Sequence, residues 1–116
     1  MTRRTVPLHF PDLAVDETAL RAAFGPKTRA VLLNTPHNPT GKVFSLDELT
    51  AVAEVAREHD LVVLSDEVYE HLVFDGLTHT PIATLPGMAE RTLTISSVGK
   101  TFSLTGWKTG WVTGPS

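Results

Sequence analysis

Cysteine is absent from the 116 residues, which excludes disulfides and thiolate metal sites. No block of like charges occurs, and the formal net charge is only −3. The broad electrostatic footprint that binds nucleic acid or an acidic membrane is therefore missing. No apolar run approaches the ~20 residues needed to span a bilayer. Met1-Thr2-Arg3-Arg4-Thr5 carries two positive charges but is not followed by the apolar core of a signal peptide, so the expected compartment is the cytoplasm. Internal repeats, low-complexity segments and interdomain linkers are also lacking. What is present is ordinary for a folded α/β chain: 41% apolar and 20% charged residues. A chain of this size buries roughly two-thirds of the surface its unfolded form exposes.

The pattern alternates strands and helices. Val6 to Phe10 is a short extended run closed by Pro11. Asp16 can cap a helix from Glu17 to Phe24, which Gly25-Pro26 stops. Arg29 to Thr35 and Leu61 to Ser65 read as strands buried on both faces. Between them, Pro36-His37-Asn38-Pro39-Thr40-Gly41 is a fixed loop, and Ser45 with Glu48 forms a capping box. Leu46, Leu49, Val52, Ala53 and Ala56 then make one apolar helical stripe, which ends at His59-Asp60. Arg91 to Ser96 is a third strand and Gly110 to Thr113 a fourth. The first crossover should be right-handed and make its two strands parallel. Ligands of open α/β sheets bind beyond the carboxyl ends of the strands. Asn38 follows the first strand, Asp66 and Tyr69 the second, and Ser97 to Lys100 the third. Three separate motifs should thus meet on one rim.

That rim would offer an amide, a carboxylate, a phenol, a hydroxyl and two lysines. Pyridoxal 5′-phosphate (PLP) has a use for all of them. Its aldehyde needs a lysine for a Schiff base. Its pyridine nitrogen stays protonated beside a buried carboxylate. Its phosphate needs a hydroxyl and a cation. Taken singly, each residue also has a plainer role. Lys100 alone is a solvated lysine, Asp66 alone caps a helix starting at Glu67, and Tyr69 alone is a half-buried aromatic. Asn38-Pro39-Thr40-Gly41 alone is a turn. His37, His59, His71 and His79 lack ligand spacing and read as solvated or structural. Ser97-Val98-Gly99-Lys100 matches an S-x-x-K string of penicillin-binding enzymes, but their companion motifs are missing.

Together, Asn34-Thr35-Pro36-His37-Asn38-Pro39-Thr40-Gly41, Ser65-Asp66-Glu67-Val68-Tyr69 and Ser97 through Lys108 resemble fold-type I, class I/II aminotransferases. The resemblance implies an α/β fold, with residues 1–116 forming part of the mainly parallel, three-layer α/β/α PLP-binding large domain. It implies that Lys100 forms the imine with PLP and carries the proton between substrate Cα and cofactor C4′. It implies that Asp66 pairs with the pyridine nitrogen, that Asn38 and Tyr69 hydrogen-bond the phenolic oxygen, and that Ser97 and Lys108 contact the phosphate. Lys108 stands where arginine is usual in the aspartate-aminotransferase pattern, and Gly99 where many relatives have serine. The string Gly99-Lys100-Thr101-Phe102-Ser103-Leu104-Thr105-Gly106-Trp107-Lys108 is closer to the kynurenine, glutamine and methionine branch, or to the succinyl-diaminopimelate branch.

The implied reaction is transamination between an amino acid and a 2-oxo acid, with 2-oxoglutarate as the expected acceptor. Carbon–sulfur β-lyases share the fold but typically carry D-E-I-H where this chain has Asp66-Glu67-Val68-Tyr69. Transcriptional regulators with such a domain carry a helix-turn-helix ahead of it, and no such segment is visible here. Complete relatives are homodimeric and roughly three times longer. The resemblance places the early part of the large domain, the ring-stacking aromatic, the small domain and its carboxylate-binding arginine outside residues 1–116. Catalysis by this piece alone is expected to be incomplete. A truncated, inactive gene product and a non-catalytic interaction piece are the competing readings. The four strands should lie side by side in chain order, the last one antiparallel, with Val6–Phe10 apart from them.

Overall fold

A computed structural model describes residues 2–116. Two short strands, β1 (Leu8–His9) and β2 (Ala14–Val15), form an antiparallel hairpin. Helix α1 (Glu17–Ala23) follows, its N-terminus capped by the Asp16 carboxylate, which accepts the Ala19 N–H at 3.0 Å. Strand β3 (Ala30–Asn34), helix α2 (Leu46–Glu58) and strand β4 (Val62–Asp66) make the crossover unit. A long connection with one 3-10 turn (Ile82–Thr84) leads to β5 (Thr92–Ser97). The one-turn helix α3 (Val98–Thr101), a second 3-10 turn (Thr105–Trp107) and β6 (Gly110–Thr113) complete the chain.

The larger sheet runs β3-β4-β5-β6, with the first three strands parallel and β6 antiparallel to β5. This is the order and direction that the family resemblance implies, and the β1–β2 hairpin stands apart as a separate sheet. The early extended run is shorter than Val6–Phe10, and its partner β2 was not foreseen: two residues carry no periodicity to read.

Helix α2 forms where the capping box predicts. Ser45 Oγ accepts the Glu48 N–H at 3.2 Å, and Glu48 Oε2 accepts the Ser45 N–H at 2.9 Å. Its buried stripe is Leu49, Val52, Ala53, Val55 and Ala56, packed over Leu33, Leu61 and Val63. Each fully buried Val or Leu contributes about 1.5–3 kcal/mol. Leu46, expected in that stripe, is 57% exposed. Arg21 joins the two helices, donating to Glu17, Glu54 and Glu58.

The sheet has two unlike faces. Residues pointing under the helices (Leu33, Val63, Ser65, Thr92, Ser96) are buried. On the opposite face Leu32 is 71% exposed, Val62 42% and Val112 61%. The expectation that β3 and β4 are covered on both sides is therefore corrected. Residues 2–116 supply helices to one face, giving two of the three layers, and the apolar residues of the other face lie open.

Glu48 carries a second duty. Its Oε1 accepts the Val15 N–H at 3.0 Å and lies 2.8 Å from Lys42 Nζ, which itself sits 5.3 Å over the Phe44 ring. One carboxylate thus ties the hairpin, the α2 N-terminus and the loop after β3 together. Partial burial pushes its pKa up. The bond from Lys42, the Ser45 and Val15 N–H groups and the Lys42 charge outweigh that, so the net shift is below the ordinary 4.5. A carboxyl with a depressed folded-state pKa stabilises the fold above its unfolded value and loses that contribution as pH falls through the folded one. Glu48→Gln should therefore lower the urea-unfolding free energy at pH 7 by about 1–2 kcal/mol. The gap to the wild type should close well below pH 4.5, where both side chains are neutral. An equal gap at both pH values would contradict this account.

Candidate cofactor site at the carboxyl rim of the sheet

In-register pairing aligns Asn34 with Asp66 and Asp66 with Ile95, so the three parallel strands end at one level. Successive side chains alternate between faces. Asn34, Asp66 and Ser97 consequently all lie on the open face at that end. Asp66 and Ser97, expected just after their strands, are the last residues of β4 and β5.

The loop after β3 is folded by its own bonds. Asn34 Nδ2 donates to the Asp66 carbonyl at 3.1 Å, and Asn34 Oδ1 accepts the Asn38 N–H at 2.9 Å. Gly41, at φ +74°, turns the chain so that its N–H reaches the His37 carbonyl at 2.7 Å. His37 Nδ1 lies 2.7 Å from Thr40 Oγ1 within the same turn. Asn38 is thereby held outward, and its Nδ2 donates to the Tyr69 hydroxyl at 3.3 Å.

No helix follows Asp66. Its Oδ1 accepts the Val68 N–H at 3.3 Å and shapes a turn, which carries Tyr69. Asp66 Oδ2 makes no hydrogen bond among the described residues. The Tyr69 ring receives a third strand's contribution: Lys100 Nζ lies 5.4 Å from its centroid. Asn38, Tyr69 and Lys100, from loops after β3, β4 and β5, are therefore in contact in series.

Lys100 also lines a cleft of ≈ 360 Å³ with Ser97, Gly99, Thr105, Lys108, Thr109 and Gly110. Two ammonium groups and three hydroxyls suit an anion. The cleft is shaped by close backbone contacts. The Val98 N–H donates to the Thr109 carbonyl at 3.0 Å. A Cβ on Gly110 would fall 2.7 Å from the Ser96 carbonyl oxygen, so only glycine lets β6 approach here. Lys108 ends the second 3-10 turn in the left-handed conformation, φ 50° and ψ 39°. A second hollow of ≈ 270 Å³, bounded by Pro36, His37, Asn38, Pro39, Gly41, Tyr69 and Leu72, adjoins on the β3 side.

All six residues singled out by their motifs thus sit on the rim, in two groups that share Lys100. Asn38 and Tyr69 form one group; Ser97 and Lys108 line the cleft; Asp66 stands at the strand end preceding Tyr69. The chemistry of this set fits PLP: an amine, an open carboxylate oxygen, a phenol and an amide, and a hydroxyl-and-ammonium cleft for a phosphate. Among the described residues no group of three or more His, Asp or Glu could hold a metal ion. No helix among them is long and apolar enough to cross a membrane.

One constellation gave no signal in the sequence. Glu67 is fully buried beneath the rim, where its Oε1 accepts from Ser65 Oγ at 2.9 Å and its Oε2 lies 2.7 Å from His79 Nε2. Only its place beside Asp66, on the alternate face, could have hinted at it. His79, read as solvated or structural, is thus buried against Glu67, and His59 stacks on Phe24 at 6.2 Å.

The family model for aminotransferase class I and II matches residues 1–116, and the chain belongs to that family. It is 58% identical over 117 residues to a probable N-succinyldiaminopimelate aminotransferase of Mycobacterium tuberculosis, covering 98% of this chain and 29% of that protein. It is 57% identical over 101 residues to human kynurenine–oxoglutarate transaminase 1, covering 87% of this chain and 24% of that protein. The solved N-succinyldiaminopimelate aminotransferase of M. tuberculosis superposes with a TM-score of 0.86 at 60% identity, over 88% of this chain and 27% of that one. The aromatic aminotransferase of Pyrococcus horikoshii gives 0.86 at 45% identity, over 90% and 28%. The chain therefore spans under a third of the length of the relatives it matches.

The left-handed backbone at Lys108 has a measurable consequence. A non-glycine residue there is strained, so Lys108→Gly should hold or raise thermal stability, by about 0.5–1 kcal/mol. The same change should weaken binding of inorganic phosphate, read by isothermal titration. A marked loss of stability would show that Lys108 is kept for packing instead.

Proposed function

We propose that this chain forms the cofactor-holding part of a PLP-dependent aminotransferase, which moves an amino group between an amino acid and a 2-oxo acid. The observation that carries the reading is the series Asn38–Tyr69–Lys100, joined across three strand ends, with Asp66 as the last residue of the middle strand. PLP, when bound, supplies the aldehyde carbon that captures the amino group and a ring that withdraws electrons from the substrate Cα.

The chain's own residues would do the rest. Lys100 would be the amine that holds the cofactor, and its amine would hold and return the substrate Cα proton. The Asp66 carboxylate would face the pyridine nitrogen and favour its protonated form. Tyr69 and Asn38, already bonded to each other, present a hydroxyl and an amide to the ring's phenolic oxygen. Ser97 and Lys108 hold the phosphate in the cleft. Lys108 does so as a point charge, without the paired bonds an arginine would offer.

Residues 1–116 are part of the PLP-binding large domain on this reading, and sequence outside them completes the site. The open apolar face bearing Leu32, Val62 and Val112 supports it, since such a face calls for a covering layer. Two relatives are named for kynurenine and N-succinyldiaminopimelate, and these, with 2-oxoglutarate as acceptor, are the first substrates to try.

The full-length product of the gene, loaded with PLP, should transaminate at least one of these donors. Lys100→Ala should reduce kcat by about 10³-fold or more while PLP stays bound without a covalent link. Full activity in Lys100→Ala would refute the assignment. Release of pyruvate and ammonia from a cysteine conjugate, with no 2-oxo acid consumed, would identify a β-lyase instead.

A further inference from the structure

Glu67 and His79 are the only pair of ionisable side chains among the described ion pairs in which both members are nearly sealed from solvent, at 0% and 6% exposure. A buried carboxylate is costly unless its oxygens are satisfied. Here each oxygen has one partner, Ser65 Oγ at 2.9 Å and His79 Nε2 at 2.7 Å. With Glu67 ionised, Nε2 carries the hydrogen, and the buried Nδ1 has no partner.

The position of this pair matters more than its bonds. Asp66 and Glu67 are consecutive, so their side chains leave the strand end on opposite faces. Asp66 points to the rim and Glu67 points beneath it. The Glu67 N–H donates to the Ile95 carbonyl at 2.9 Å, and the Asp66 carbonyl accepts the Thr35 N–H at 3.1 Å. The Glu67 carbonyl then accepts the Glu70 N–H at 2.9 Å, closing the turn that carries Tyr69. Glu70 Oε1 is held from below by Ser96 Oγ at 2.8 Å. The turn is thus pinned on its underside by two carboxylates, one bonded to a serine of β4 and one to a serine of β5. Beyond it the chain runs over the surface, with Leu72, Phe74 and Leu77 exposed. The bond from His79 to Glu67 draws this segment back under the sheet, joining residues 12 apart.

We infer that Glu67, clamped by Ser65 and His79, is a positioning residue for the site: it fixes the turn that aims Asp66 and Tyr69 at the cofactor. The inference rests on the reading of the rim as a PLP site. A preorganised site needs its contacting groups held by a supporting layer, and loss of that layer loosens the geometry while the groups themselves remain. A side chain that merely stabilised the fold would change the melting temperature alone.

The test uses the full-length product in its PLP-bound form. The dissociation constant for PLP and the pH midpoint of the cofactor's visible absorption band are measured for Ser65→Ala, His79→Leu and His79→Gln. His79→Leu should weaken PLP by about tenfold, the weight of one lost charge-assisted bond, and displace the band midpoint. His79→Gln, which returns an N–H to Glu67, should recover most of both. Ser65→Ala removes one bond with little change in volume and should move both readouts in the same direction, so it decides the question if the leucine variant does not fold. Melting temperatures lowered with PLP affinity and band midpoint unchanged would overturn the inference. Asp66→Ala and Lys100→Ala distinguish the two levels. If they alter the band while the Ser65 and His79 variants do not, the positioning role alone fails. If none of the variants alters it, the cofactor reading fails first.

Discussion

Parallel, in-register pairing of β3, β4 and β5 is the constraint on which the site depends. The pairing ends three strands at one level, and the loops that leave them have nowhere else to meet. Asn34 makes the coupling explicit: it is the last residue of β3, its side chain bonds the Asp66 carbonyl of the neighbouring strand, and its amide oxygen holds the Asn38 backbone. A register slip of one residue would turn Asp66 beneath the sheet and bring Glu67 to the rim. The buried bonds of Glu67 to Ser65 and His79 oppose that slip, so the same contacts that satisfy a buried carboxyl group also specify which carboxylate faces the rim.

The elements that were legible in the sequence are those with strong local chemistry. The capping box at Ser45 and Glu48, the Asp16 cap and the prolines and glycine of the loop after β3 each dictate their own backbone, and all formed as read. The three apolar runs were legible as strands, while their order was implied by the family resemblance and matches the observed sheet. What could not be read depends on distant partners. The two-residue hairpin is set by pairing and not by pattern, and Leu46 is exposed although its spacing matches the apolar stripe. The coverage of β3 and β4 was misjudged for a related reason: an apolar run reports that a strand suits burial, not whether this chain supplies the covering layer.

For the site, the motifs brought the six residues to one rim, yet they are silent on the supporting layer. Glu67 is fully buried, and a sequence read residue by residue would place such a carboxylate in solvent. Its histidine partner lies beyond a surface segment with no periodicity. The arrangement divides labour by face. The open face carries Asp66 and Ser97, while the covered face carries Ser65, Glu67 and Ser96, whose mutual and neighbouring bonds hold the rim from below. Lys100 belongs to both the Tyr69 contact and the cleft, which is the geometry an amine needs if it is to serve a ring and lie near a phosphate anchor at once.

The claim that these loops surround one pyridine ring is tested most directly by trapping. The PLP-loaded full-length product is reduced with borohydride and digested, and the pyridoxyl-bearing peptide is sequenced by mass spectrometry. Within this chain the label should fall on Lys100 and spare Lys27, Lys42 and Lys108. A single stoichiometric label on any other lysine would contradict the account.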